Sequence, residues 1–303
     1  MKLYAPKYYR DFICIADKCR HSCCVGWEID VDDQSLARYQ KSTHGYAKTI
    51  LESIEYGETP HFKLGVGDRC PHLNDCGLCK IILSVGEDYL CEICREHPRF
   101  YHDTPRGKEV GLGMACEEAC RLILTSDAYM NFEEIGVLDG APEDCKIDVL
   151  AHREWLFSTL SDDSMTYGER LSEIYHRYEI TPHQVDDEEW RTLLASLDYL
   201  HDAHRALFAG YSSAAITPAW AESYLKRALA YWIFRHCSPA YDAYEFLTSL
   251  GFALFCERLL TSMIVSGTIE NEASLIELAR ILSEELEYSE DNTAAIREMF
   301  IPE

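Results

Sequence analysis

Cys14-Ile15-Ala16-Asp17-Lys18-Cys19-Arg20-His21-Ser22-Cys23-Cys24-Val25-Gly26-Trp27 is the stretch on which the reading of this chain turns. Its short cysteine spacings let one loop wrap several thiolates around a single centre. Thiolates are soft ligands that suit zinc or iron–sulfur clusters. The adjacent pair Cys23-Cys24 is expected to divide its work, because neighbouring side chains of an extended segment point to opposite sides. One would ligate, and the other would serve a second site or pack in the core. Buried cysteines that act only as small hydrophobes need no such clustering.

Moving outward, there is a second group. Cys76-Gly77-Leu78-Cys79 and Cys91-Glu92-Ile93-Cys94 are two C-x-x-C pairs separated by eleven residues, the arrangement of a zinc knuckle. Cys70 stands upstream, and Cys116-x3-Cys120 downstream. Together these exceed one tetrahedral site, so either two metal centres or spare thiols are expected. Of 14 cysteines, only Cys145, Cys237 and Cys256 lie beyond residue 120. The start of the chain lacks a hydrophobic signal core, and no apolar run approaches the ~18 residues of a membrane span. The expected location is the cytoplasm, where disulfides do not persist, which leaves metal binding as the reason for clustered thiols. His97 and His102 are secondary zinc candidates, and Arg95 and Arg99 are candidates to neutralise a thiolate-rich site.

The chain changes texture along its length. Residues 1–125 read as a small α+β cysteine-rich metal-binding domain, with a strand at 61–66 and short helices at 32–40, 46–56 and 117–124. Residues 126–146, broken by Gly136, Gly140, Ala141 and Pro142, read as a connector. Residues 147–303 read as an all-α domain. Apolar periodicity predicts helices at 148–160, 167–178, 188–208, 217–236, 241–264, 273–288 and 294–300. The fold class is therefore mainly α. On the helix beginning at Thr217-Pro218, Tyr224, Tyr231 and Arg235 share one face, while Leu225, Leu229 and Trp232 share a neighbouring face that should be core.

Net charge is -24 over 303 residues, with a pI near 4.8. Such a surface repels phosphate backbones, so nucleic acid is excluded as an expected partner, and membrane is excluded with it. A cationic partner, such as lysine side chains on another protein, is welcome.

Cys14-x4-Cys19-x3-Cys23-Cys24-x2-Trp27 resembles the opening motif of the flagellin lysine-N-methylase family, part of a wider group of cysteine-cluster, metal-chelating proteins. The likeness continues in order through Cys70-Pro71-His72-Leu73, Gly77-Leu78-Cys79-Lys80-Ile81, Gly86-Glu87-Asp88-Tyr89-Leu90, Cys94-Arg95-Glu96-His97-Pro98-Arg99 and Ala115-Cys116-Glu117-Glu118-Ala119. Tyr231-Trp232-Ile233-Phe234-Arg235-His236 is similar to an aromatic-arginine stretch of the same family. The resemblance implies a cytoplasmic methyltransferase acting on lysine amino groups, flagellin among the substrates, with S-adenosylmethionine as donor and a 4Fe–4S cluster. It also implies a ligand set of Cys14, Cys19, Cys23, Cys24, Cys70, Cys79, Cys94 and Cys116, leaving Cys76, Cys91 and Cys120 as additions. Through the same resemblance Tyr231 and Arg235 become candidates to bind the donor, Arg235 by its carboxylate.

No residue stands out as a catalytic group. Gly111-Leu112-Gly113 is only part of a nucleotide-binding fingerprint and reads as a tight strand. Two other functions compete with methyl transfer: a non-catalytic zinc protein with a helical interaction domain, and an electron-transfer or metal-delivery protein.

Overall fold

Short polar side chains segment the second half of the chain. In a computed structural model, which describes residues 1–180 and 185–301, Asp148, Thr166, Asp186, Asp242, Asn271 and Ser289 each accept a backbone N–H at the start of a helix. Such caps satisfy amides that the first helical turn leaves without partners.

In chain order, strand β1 (Lys2–Pro6) comes before helices α1 (Asp33–Lys41) and α2 (Gly45–Glu52), then the short strands β2 (Ile54–Glu55) and β3 (His61–Phe62). Helices α3 (Lys80–Val85) and α4 (Glu92–Glu96) come next, then strands β4 (Arg99–Thr104) and β5 (Gly107–Leu112), helix α5 (Glu117–Thr125) and strand β6 (Phe132–Val137). The rest is helical: α6 (Val149–Leu160), α7 (Tyr167–Tyr178), α8 (Asp187–Ser196), α9 (Asp202–Phe208), α10 (Glu222–Trp232), α11 (Ala243–Ser266), α12 (Glu272–Leu282) and α13 (Glu290–Glu298). Two π-helical turns, Ile233–Cys237 and Ser283–Glu287, prolong α10 and α12. The chain is mainly α, as its periodicity predicts.

Backbone contacts divide it into two units: Met1–Phe12 with Tyr101–Glu303, and Ile13–Phe100. The boundaries read from texture, at 125 and 146, are changes of composition; the contact boundaries fall elsewhere. In the larger unit β1 lies inside a four-stranded sheet of order β4-β5-β1-β6. It pairs parallel with β5, Leu3 opposite Lys108, and antiparallel with β6, Pro6 opposite Phe132. Strand β6 lies in the stretch that reads as a connector. Its sequence, Phe132-Glu133-Glu134-Ile135-Gly136-Val137, does not alternate cleanly because it is a sheet edge. Glu133 and Glu134 meet Arg10 and Lys2 at the surface.

A buried ion cluster links this sheet to the helices. The Glu109 carboxylate on β5 is fully buried and accepts from Arg153 Nη1 at 2.5 Å and Nη2 at 2.8 Å, and from Arg106 Nη2 at 2.5 Å. Arg153, on α6, also donates to Ser238 Oγ at 2.7 Å and lies over the Phe132 ring. Burial opposes ionisation of Glu109 most strongly, but the hydrogen bonds and charge of Arg153, aided by Arg106, outweigh it and hold the carboxyl below its ordinary value.

Four predicted elements differ from the structure. The helix predicted to start at Thr217-Pro218 becomes α-helical only at Glu222, after a 3-10 turn Ala219–Ala221 that no side chain caps. The helix predicted over 188–208 is two helices, because side chains from elsewhere capture the backbone between them. Asn292 bonds both backbone groups of Asp198, and Glu285 accepts the N–H groups of Leu200 and His201. The helix predicted to reach 56 stops at Glu52, with Ser53 Oγ donating back to Ile50 O. The strand predicted over 61–66 keeps only His61–Phe62, because its partner β2 offers just two residues for pairing; the chain then turns through Gly67 at φ 69° and Asp68 at φ 52°.

Helix α11 forms the centre of the larger unit, with Leu250, Phe252, Ala253, Cys256, Leu259 and Leu260 shielded from solvent. Among the described residues it is the one helix long and apolar enough to cross a membrane. Its most apolar 18 residues have a mean hydropathy of 1.4, and 94% of them are buried inside the protein. The expectation that no run is long enough to span is thereby corrected on length and composition, and the environment of this helix here is the protein core.

Candidate functional site

Seven of the eight cysteines expected as ligands belong to the unit Ile13–Phe100, and Cys116 belongs to the other. The smaller unit builds a core from Ile29, Val31, Tyr39, Ile50, Ile54, Phe62 and Ile81. Cys70 and Cys91 are buried in that core, and Cys24, Cys79 and Cys94 pack against it. Cys14 and Cys23 are exposed, and Cys19 Sγ lies 3.1 Å from His21 O.

Local geometry explains these placements. Cys23 and Cys24 are the central residues of a turn closed by Val25 N–H to Ser22 O at 3.2 Å. They are not extended neighbours, yet they differ in exposure. Cys79, Cys91 and Cys116 each occupy the N-cap of a short helix, α3, α4 and α5. Amides at a helix start favour a thiolate. Asp32 ties α1 to α4: it accepts Ser35 N–H at the start of α1 and Glu92 N–H at the start of α4. Asn74 Oδ1 holds the loop before Cys79 by accepting from Cys76 N–H and Leu78 N–H, and the loop passes through Gly77 at φ 75°.

The thiols influence one another. A hydrogen bond with Cys23 brings Cys24 down to about 7, against burial, with Ser22 and Arg69 helping. Burial pushes Cys70 up to about 12, and charge on Cys24, Cys79 and Cys91 adds to this. Cys91 Sγ and Cys94 Sγ are 3.3 Å apart; their hydrogen bond lowers Cys91 and raises Cys94. Cys91, which the resemblance leaves out, is thus grouped with Cys24, Cys70, Cys79 and Cys94. The C-x-x-C spacing is the signal that points to it.

The other cysteines play different parts. Cys237 and Cys256 have no solvent exposure, as expected of thiols that pack on helices. Cys120, read from spacing as part of the cysteine group, is equally buried, its Sγ reaching Ile276 O at 3.4 Å. His97 is half-buried beside Trp27, its ring 6.3 Å away, and is pushed down to about 4 by desolvation and then by Arg99. His102 lies edge-on to Phe234 in the larger unit, and burial takes it down to about 3. Arg95 lies in the last turn of α4, and Arg99, the first residue of β4, donates to Arg95 O.

In the larger unit Leu225, Leu229 and Trp232 are core, as their spacing predicts. Tyr224 is at the surface and donates to Glu272, while Tyr231 and Arg235 turn inward. Tyr231 Oη accepts Met114 N–H at 3.1 Å and an N–H of Arg235 Nη1 at 2.8 Å. Arg235 Nε lies 3.4 Å from Glu287 Oε1, which also meets His236 Nε2 at 2.7 Å. The Tyr288 ring stacks under the Arg235 guanidinium at 4.8 Å. Gly113 allows this arrangement: a Cβ there would collide with Tyr288 Oη and fall 2.8 Å from Arg235 Nη1. Burial opposes the Glu287 charge most, but Arg235 and His236 outweigh it and lower the carboxyl. Spacing and resemblance point to Tyr231 and Arg235 but not to Glu287 or Tyr288.

Comparison with known proteins adds one relationship. The chain is 27% identical over 138 residues to the Lysine-N-methylase of Salmonella choleraesuis (strain SC-B67), covering 43% of this chain and 34% of that protein. The Lysine-N-methylase of Salmonella typhimurium (strain LT2) matches to the same extent. The Flagellar biosynthetic protein FliU of Salmonella muenchen is 26% identical over 138 residues, which are 43% of this chain and 80% of that one. The similarity spans about a third of the length of the two methylases. No family profile and no solved structure matches the chain.

Proposed function

We propose that this chain is an S-adenosylmethionine-dependent protein-lysine N-methyltransferase with a 4Fe–4S cluster held by its cysteines. The observation that carries the reading is the 138-residue similarity to two proteins named lysine-N-methylase. The donor set is compatible with the cluster: Cys24, Cys70, Cys79, Cys91 and Cys94 offer soft sulfur, and the hydrogen bond with Cys23 favours the Cys24 thiolate. In this reading the ligands are drawn from these and from Cys14, Cys19 and Cys23 of the same unit; Cys116, which the resemblance adds, belongs to the other unit. When bound, such a cluster supplies either a structural staple or an open iron that can hold the donor's amino and carboxylate groups.

The chemistry asks something definite of the protein. A sulfonium methyl is already electrophilic, so the lysine amine need only be aligned and neutral to attack it. The acidic surface, with net charge -24, draws lysine-bearing proteins toward the chain. A protein substrate is the consequence, with flagellin as the first to try. Where the cluster is only a staple, Arg235 takes the donor's carboxylate in exchange for Glu287, with which it is paired, and Tyr231 and Tyr288 keep its planar fork oriented.

The test is to incubate anaerobically purified protein with methyl-labelled donor and with flagellin or lysine-rich proteins, then map ε-N-methyllysine by mass spectrometry. Methyl transfer that needs the protein supports the reading; no transfer to any of them overturns it. Calorimetry of donor binding checks Arg235 separately: unchanged affinity in a folded R235A variant removes it from the site.

A second reading has its own support. The pairs Cys76/Cys79 and Cys91/Cys94, with Cys91 and Cys94 in sulfur contact, suit a zinc module that staples a helical interaction domain. Iron with acid-labile sulfide in anaerobic protein favours the first reading. Stoichiometric zinc without sulfide, from cells supplied with iron, favours the second.

A further inference from the structure

We propose that His204, Glu284 and Glu285 form a divalent-cation site that uses none of the cysteines. It is made by α9 and the π turn Ser283–Glu287, both in the larger unit. One ligand atom from each of the three residues lies within 4.8 Å of the others. The set is largely buried: side-chain exposure is 18% for His204, 19% for Glu284 and 0% for Glu285.

The site is held firmly. Glu285 accepts the N–H groups of Leu200 and His201, at 2.7 and 3.2 Å. It also lies 2.5 Å from His204 Nδ1, and the two atoms become neighbouring ligands once the ring gives up any proton shared between them. Asn292 Nδ2 donates to Glu285 O at 2.8 Å and to Asp198 O at 2.6 Å, tying the π turn to the loop before α9.

Charge balance points to a cation. Arg280 is shared by two carboxylates: its Nη2 meets Glu277 Oε1 at 3.0 Å, and its Nη1 meets Glu284 Oε1 at 2.9 Å. Glu285 adds a third carboxylate. With one guanidinium and one imidazole among them, negative charge is in excess whether or not His204 is protonated. Excess charge away from water is costly unless a counter-charge joins it. Glu284 Oε2 is moreover buried without a hydrogen-bond partner. A bound divalent ion supplies that oxygen with a partner and offsets the charge. Two carboxylates and an imidazole suit Mn²⁺, Fe²⁺ or Zn²⁺.

The experiment counts bound ions on the full chain by equilibrium dialysis against Mn²⁺ and, in parallel, against Zn²⁺. Thiols bind Mn²⁺ poorly, so the manganese arm reads oxygen and nitrogen ligands. The comparison is with E284Q, which keeps the side-chain volume. Wild type should hold one equivalent that E284Q binds at least about tenfold more weakly. If E284Q fails to fold, H204Q gives the same count. Equal numbers of both ions on wild type and the folded variant would overturn the proposal and leave a proton on Glu284 as the source of charge balance.

Discussion

Replacing Glu109 with glutamine tests whether the buried ion cluster anchors the sheet to the helices. The substitution keeps the side-chain volume, so no cavity term enters. It removes the charge that Arg153 contacts through two nitrogens, at 2.5 and 2.8 Å, and that Arg106 contacts at 2.5 Å. Arg153 is then an uncompensated cation with only 6% of its side chain exposed. Breaking a buried pair by removing one partner costs about 3–5 kcal/mol. Glutamine retains part of the hydrogen bonding, and Arg106, a third exposed, can turn to solvent, so a loss of about 3 kcal/mol is expected by the same principle. At roughly 2–4 °C per kcal/mol for a unit of this size, the melting temperature should fall by about 6–12 °C. The pH dependence has a definite sign. Glu109 is held below its ordinary value in the folded protein, so its contribution is present above the unfolded pKa of about 4.3 and is lost as pH falls through the folded one. Urea denaturation followed by circular dichroism at neutral and acid pH measures both effects. The E109L/R153M double variant should recover much of the loss, because removing both partners leaves no charge stranded. A loss below about 1 kcal/mol at neutral pH, the range of an exposed pair, would refute the anchoring role, as would a gap that does not narrow in acid.

Three further outcomes are expected. C79A should lose metal and loosen the unit Ile13–Phe100, whereas C237A and C256A should keep their metal and lose about 1 kcal/mol each as small core truncations; metal analysis beside thermal melts separates the cases, and equal metal loss would contradict the grouping of thiols. G113A should displace Tyr288 and Arg235, because its new Cβ falls within 3 Å of both, and should destabilise by about 1–3 kcal/mol; calorimetry on the folded variant should show weaker donor binding. E287Q should leave Arg235 buried without its carboxylate and cost about 3 kcal/mol, and an unchanged denaturation midpoint would show that Arg235 has other compensation.

Periodicity makes most of the helical half legible. The spacing predicts 167–178 and 148–160, and the structure has Tyr167–Tyr178 and Val149–Leu160. There the apolar face and the caps agree. The break between α8 and α9 is hidden, since it depends on Asn292 and Glu285, both more than 80 residues away. The sheet is hidden for a similar reason: β1 lies near residue 1, and its partners begin at Gly107 and Phe132. A strand edged by glutamates carries little alternation to read. At the site, cysteine spacing alone points to Cys79, Cys91 and Cys94, because ligand spacing is a local property. Glu287, Gly113 and Tyr288 carry no local signal, and only tertiary packing sets them against Arg235.

The two π turns explain why the buried polar residues escape periodic reading. In an α-helix consecutive residues point about 100° apart, so Arg235 and His236 should not serve the same group. Both nevertheless reach Glu287 Oε1, at 3.4 and 2.7 Å. They do so because Ile233–Cys237 is π-helical and faces a second π turn, Ser283–Glu287, which carries the carboxylate. An added residue in each turn shifts the phase of the residues after it and gathers charged side chains where a regular helix would scatter them. The same second turn presents Glu284 and Glu285 to His204. Arg235, His236, Glu284, Glu285 and Glu287 therefore depend on two local departures from the 3.6-residue period. A helical-wheel reading, which assumes that period throughout, sets Arg235 on one face with the surface residue Tyr224 for the same reason that it cannot find Glu287.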